Sequence, residues 1–431
     1  AGTPLVTVST AYDAAARTFT LSLEQMVPAT PGQSAKQPMH IPLKFALIGE
    51  NGGEIAPTAV SGGEVSGDVL HLTERSQTFT FTEVPDRPVL SLNRGFSAPI
   101  NLSFDQSGAD LAHIARHDSD LFARWQALSD LALPVLTKAA SDARDGKAIT
   151  VDPALVSALI ETLANDKLEP AFRAQALSLA SEADIARELG GNNDPDAIHA
   201  GREAVLKAVA EKGFATFERL YKELAPTGAF SPDATGAGKR ALRNVALTYL
   251  AHAEESPARA AEAFAEADNM TELAHALTVL AHRFPDADET LAALAAFATR
   301  FDTNPLVLDK WFSIQATIPG EAALARVEAL MKDARFNAQN PNRVRALVGT
   351  FAFANPTGFN RVDGAGYRLL ADQILVIDPR NPQLAARLLT AMRSWRSLEP
   401  VRAEAAKAAL GKITGAKQLS ADVADIVERM L

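Results

Sequence analysis

The chain has 431 residues, no cysteine, 47% hydrophobic and 22% charged residues, and a formal net charge of −10. On a rough scale of about 150 residues per domain this is a multidomain globular protein. It has no disulfide, thiolate metal site or cysteine nucleophile, no basic block for nucleic acid or an anionic membrane, and no run near the roughly 18 apolar residues a membrane span needs.

Residues 1–105 read as β structure. In Leu5–Ser9 and Thr18–Leu23 apolar residues alternate with hydroxyl residues, the period of a half-buried strand, and Asp13 to Arg17 supplies the hairpin connection. Further strands are expected at Ile41–Ile48, Val69–Thr73, Gln77–Phe81, Val89–Leu92 and Ile100–Phe104, separated by turns such as Asn51-Gly52-Gly53. About seven short strands at this spacing predict an immunoglobulin-like β-sandwich.

From Asp110 the period changes to that of a helix and stays there to Leu431. Leu273, Ala276, Leu277, Leu280, Ala281 and Phe284 form one apolar stripe behind the cap Asn269, closed by Pro285. Helix follows helix with breaks at Gly190-Gly191, Pro226 to Gly228, Pro257, Pro305 and Pro319-Gly320, and frequent alanine permits close approach. Residues 106–431 therefore read as an all-α superhelical solenoid of the armadillo or HEAT kind. The fold class is α+β and multidomain.

Complete catalytic constellations are missing from this pattern. His113 and His117 sit one helical turn apart, as in the H-E-x-x-H helix of zinc peptidases, but Ile114 stands where that motif has its glutamate. His275 and His282 share a helix face about 10 Å apart, too far for one ion. Gly236-Ala237-Gly238-Lys239-Arg240 lacks the spacing of a phosphate loop and reads as a flexible turn. Trp125, Trp311 and Trp395 fall within helical periods and are expected in the core.

Two helix starts stand out. Asn340-Pro341 and Asn381-Pro382 each offer a capping Asn followed by a Pro at the first helical position. Arg343 then lies in a first turn, where a cation opposes the helix dipole unless something compensates it. Gln383 and Arg387, four apart, project from one helix face as a neutral amide beside a guanidinium fork, a pair able to hold a carbonyl or carboxylate, or simply to be solvated.

Several segments together resemble the C-terminal half of bacterial aminopeptidase N, a zinc-dependent gluzincin family: Ala1 to Val8, Lys36 to Pro42, Phe96-Ser97-Ala98-Pro99, Asn269-Met270-Thr271, Asp309-Lys310-Trp311-Phe312, Asn340 to Arg345 and Arg380 to Arg387. The resemblance runs end to end. It implies a β-sandwich and a helical domain that follow a catalytic half, with the zinc, its ligands and the general base all in that preceding half. It also implies that Gln383 and Arg387 line substrate subsites, with Arg345 beside them. No catalytic or metal-binding residue is expected in this segment. The implied partners are peptide substrates and the upstream catalytic domains; the charge balance argues against nucleic acid or a membrane surface, and the absence of cysteine fits a cytoplasmic setting. Ala1, with no leader-like segment after it, is read as the start of a downstream portion of something longer. Composition and periodicity alone fit two other readings: a freestanding α-solenoid scaffold that binds a protein partner, and a metal enzyme using His113 and His117.

Overall fold

The computed structural model describes residues 2–431. Ten strands come first: β1 (Leu5–Asp13), β2 (Thr18–Met26), β3 (Ile41–Ile48), β4 (Glu54–Ile55), β5 (Ala59–Ser61), β6 (Val65–Ser66), β7 (Val69–Leu72), β8 (Ser76–Thr82), β9 (Val89–Leu92) and β10 (Asn101–Phe104). They make two sheets, in the orders β10-β1-β2-β8-β5 and β4-β3-β7-β6, with β9 also on β3. The pair β1–β10 is parallel, with Leu5 opposite Asn101, and the rest are antiparallel.

The alternation in β2 explains the sandwich. Phe19, Leu21 and Leu23 are buried and the hydroxyl residues between them are not, so one face is driven inward by the hydrophobic effect. They meet Leu43, Leu70 and Leu90 of the other sheet in one core, where Phe45 and Phe81 pack with ring centroids 5.3 Å apart. The β1–β2 turn forms as its sequence predicts: Asp13 Oδ1 accepts from the backbone N–H of Ala15 and Ala16, each at 2.9 Å, and Arg17 takes φ 52°. The strands β4, β5 and β6, only two or three residues long, were not expected, because so short a run shows no alternation.

The remainder is helical, from Gly108–His117 to Ala421–Met430. Asn269 caps Met270–Arg283 by accepting from Glu272 N–H at 3.1 Å. The Gly236 to Arg240 segment is not a flexible turn. It lies in the first turns of Ala234–Ala253, because Asp233 accepts the Gly236 N–H at 2.8 Å and so offsets the poor helix propensity of the two glycines. Trp311 and Trp395 are buried as expected, each donating its indole N–H to a backbone carbonyl at 2.9 Å (Leu294 and Met430), whereas Trp125 is only half-buried.

The strands end at Phe104 and the first helix begins at Gly108, but compactness divides the chain elsewhere. One unit holds 1–134 with 152–179, and the other 135–151 with 180–431. The division falls at Pro134, inside the helix Leu121–Arg144, at the one ring that cannot donate a backbone hydrogen bond there.

In the second unit the 29-residue helix Pro195–Glu223 packs along Ala234–Ala253. Gly201 permits a close helix crossing, since a Cβ there would lie 2.5 Å from the backbone nitrogen of Ala140. The array also returns on itself. Asn193 N–H donates to Ser397 O and Glu399 N–H to Asn193 O, both at 2.9 Å. Arg402, 3% exposed, reaches Asp194 at 3.3 Å, Glu399 at 3.2 Å, Asp196, and the Asn360 carbonyl at 2.5 Å. A guanidinium this buried is tolerable only because its donors find anionic or carbonyl partners.

Candidate functional site

The helix Pro382–Leu389 forms where its sequence predicts, with Asn381 Oδ1 accepting the Leu384 N–H at 3.1 Å. Leu384, Ala385, Ala386, Leu388 and Leu389 are buried, while Gln383 and Arg387 are exposed. Neither polar side chain has a hydrogen bond or ion pair among the described residues. The helix thus presents one amide and one guanidinium side by side, with their donors and acceptor unspent.

The second Asn-Pro start is also real, with Asn340 Oδ1 accepting from Asn342 N–H at 3.0 Å. Only one short turn follows, Pro341–Val344, before the backbone widens into a π-helical turn, Arg345–Gly349, in which the N–H of Thr350 reaches back to the carbonyl of Arg345. Ala346, Leu347, Val348 and Gly349 are all buried, yet Arg345 stays exposed, its Nη1 donating to Asn342 Oδ1 at 2.8 Å. A Cβ built on Gly349 would lie 3.5 Å from Leu388 and 3.7 Å from the Arg345 Cβ. Gly349, one turn after Arg345, therefore packs close to Leu388 of the helix that carries Gln383 and Arg387.

Arg343 has another fate. It is 4% exposed, pairs with Asp309 at 2.8 Å, donates to the carbonyls of Arg335 (3.2 Å) and Pro305 (3.3 Å), and lies 4.8 Å over the Phe312 ring. The charge that opposes the helix dipole is thus compensated, and the Asp309 to Phe312 segment is its socket.

The histidines do not assemble into a metal centre. His113 must donate its Nε2–H to the Gly49 carbonyl at 2.8 Å, because a carbonyl only accepts, and it packs on His117 with centroids 4.7 Å apart. Burial, followed by the charge of His113, lowers the pKa of His117. His275 Nε2 lies 2.8 Å from the Asn244 carbonyl, and His282 Nε2 3.0 Å from Thr317 Oγ1. Among the described residues no three His, Asp or Glu side chains are grouped to hold an ion. Sequence reasoning missed Asn342, whose spacing of three before Arg345 was the available signal. It also missed a half-buried ionic group formed by Glu203, His252 and Arg283, whose members lie too far apart in sequence to be paired by inspection.

A family described as a domain of unknown function (DUF3458) with an Ig-like fold matches residues 2–105, and one described as a domain of unknown function (DUF3458_C), ARM repeats, matches residues 108–431. Aminopeptidase N of Caulobacter vibrioides is 39% identical over 434 residues, covering 100% of this chain and 48% of the relative. Aminopeptidase N of Escherichia coli is 33% identical over 437 residues, covering 100% and 49%. A crystal structure of Legionella pneumophila aminopeptidase A in complex with aspartic acid superposes with a TM-score of 0.83 at 27% identity, again over 100% of this chain and 49% of that one. The chain spans about half the length of the curated relatives it matches, and nothing in these comparisons supports a freestanding scaffold.

Proposed function

We propose, from the premise that this chain belongs to the DUF3458 family of Ig-like and ARM-repeat domains and is homologous to the C-terminal half of bacterial aminopeptidase N, that it is the substrate-gating portion of an aminopeptidase acting on peptides. Zinc and the hydrolytic groups belong, in this reading, to the preceding half, and no chemical step falls to residues of this chain. The compartment proposed is the cytoplasm. No described helix is long and apolar enough to cross a membrane.

The observation that carries the reading within this chain is the helix face of Gln383 and Arg387, exposed and unpartnered on a helix otherwise packed into the core. Gln383 would donate to or accept from a peptide group, and Arg387 would place two parallel N–H donors on a carbonyl or terminal carboxylate. Arg345, steadied by Asn342, adds positive potential beside them.

The test is Arg387→Ala in the full-length protein. Loss of one charge-assisted hydrogen bond, worth about 1.5 to 3 kcal/mol, predicts a fall in kcat/KM of roughly ten- to a hundred-fold. Unchanged kinetics across several peptide lengths would remove the subsite role.

A further inference from the structure

The turn Arg345–Gly349 has a π register between two stretches of ordinary α-helix, Pro341–Val344 and Thr350–Ala354. Single turns of this kind insert one extra residue into a helix and recur at functional sites. In an α register the N–H of Thr350 would bond the carbonyl of Ala346. Here it reaches past it to the carbonyl of Arg345. Val344 (φ −62°, ψ −42°) and Thr350 (φ −61°, ψ −41°) on either side keep α-helical angles, so the change is one of register and not a break.

Both flanks are pinned by buried side chains. Upstream, Arg343 sits in its socket, 2.8 Å from Asp309 of the helix Pro305–Ala316. Downstream, Phe351, 1% exposed, packs edge-on against Phe359 with ring centroids 5.9 Å apart. Returning the turn to an α register would rotate one flank against the other by close to one residue's worth, roughly 100°. One of the two buried side chains would then leave its place. Within the upstream flank Arg343 and Arg345 stand about 200° apart around the helix, so seating Arg343 inward aims Arg345 outward.

A carbonyl passed over by a π turn needs a partner from elsewhere when it is buried. Ala346 is buried, and its carbonyl accepts from Ser313 Oγ of the helix Pro305–Ala316 at 3.0 Å. The carbonyl of Arg345 accepts a second bond, from Thr350 Oγ1 at 3.2 Å. The two hydroxyl oxygens lie 3.4 Å apart, each spending its one proton on a backbone carbonyl of the turn. At the exposed end, Arg345 donates from Nη1 to the neutral Asn342 amide at 2.8 Å and has no ion pair among the described residues. Its remaining donors and its whole charge are open to an anionic group.

We infer that Ser313 and Thr350 are positioning residues: by holding the turn in its π register they hold the Arg345 guanidinium in the orientation in which it receives the free carboxylate of a peptide substrate. The inference rests on the reading of this face as a substrate subsite.

The test is Ser313→Ala in the full-length protein, read in two ways. Amide exchange over residues 346–352, followed by mass spectrometry, should quicken about tenfold once the Ala346 carbonyl loses its partner. KM for a tripeptide with a free carboxylate should rise roughly three- to tenfold with kcat within about twofold, while the C-terminal amide of the same peptide keeps its KM. Ser313→Thr, which retains the hydroxyl, should restore both readouts. In an Arg345→Met background Ser313→Ala should raise KM no further; a rise as large as in the parent would mean that Ser313 acts by another route and would overturn the proposal. Unchanged exchange in Ser313→Ala overturns the lock whatever the kinetics. The subsite reading fails separately: if Arg345→Met alone leaves KM unchanged, this face does not bind substrate, even where exchange shows that the hydroxyls hold the turn.

Discussion

Arg343 and Arg345 are two residues apart, yet one is buried in a socket of Asp309, two carbonyls and a ring, while the other reaches solvent beside Asn342. Removing the first leaves the half-hidden Asp309 carboxylate unpaired. Arg343→Ala should therefore cost about 3 to 5 kcal/mol in urea unfolding, and Arg345→Ala no more than about 0.5 kcal/mol. If both cost the same, the two assignments are wrong. The sequence foretold the Asn-Pro caps, because capping is a local property of adjacent residues. It did not tell the two arginines apart, because what separates them is the π-helical turn and a partner, Asp309, on another helix. The exposure of Gln383 and Arg387 followed from the period of the helix, whereas their use does not follow from any pattern.

The helices Pro195–Glu223, Ala234–Ala253 and Met270–Arg283 share the half-buried ionic group of Glu203, His252 and Arg283. Burial opposes ionisation of Glu203, but its neighbours His252, whose Nε2 lies 3.5 Å away, and the Arg283 guanidinium outweigh it and hold its pKa at about 2. The folded value lies below the ordinary 4.5, so this stabilisation is complete above pH 4.5 and is lost as pH falls toward 2. His282 on the same helix as Arg283 is pushed down to about 4 by burial. The unfolded chain takes up a proton near pH 6.5 that the folded helix refuses until about pH 4, so stability also drops across that higher window, by roughly 3 kcal/mol. Unfolding measured from pH 7 to pH 3 should show both slopes. His282→Gln should flatten the upper one and Glu203→Gln the lower one, and a variant with an unaltered profile would refute its assignment. At this scale the sequence located the longer strands and the helical period well, and failed on the strands of two or three residues and on the Gly236 to Arg240 helix start.

Across the helical unit, Arg402 joins elements some two hundred positions apart, binding Asp194 and Asp196 at the cap and first turn of one helix and Glu399 at the cap of another. Arg402→Met should lower stability by about 3 to 5 kcal/mol. It should also release amide protection at the starts of Pro195–Glu223 and Pro400–Thr414 together, as hydrogen exchange would read it, whereas loss at only one of them would mean the contact does not couple the two. No periodicity announces such a contact, since it is specified by three carboxylates that become neighbours only after the array has formed.

The backbone exchange between Asn193 and the segment Ser397 to Glu399 has a meaning for ancestry. Arrays of stacked helix pairs ordinarily grow and shrink by whole repeats, since each unit touches only its neighbours. Here a duplicated or deleted pair between those positions would have to preserve the Asn193 exchange or lose its two backbone hydrogen bonds, a constraint on repeat number that a simple open stack does not carry.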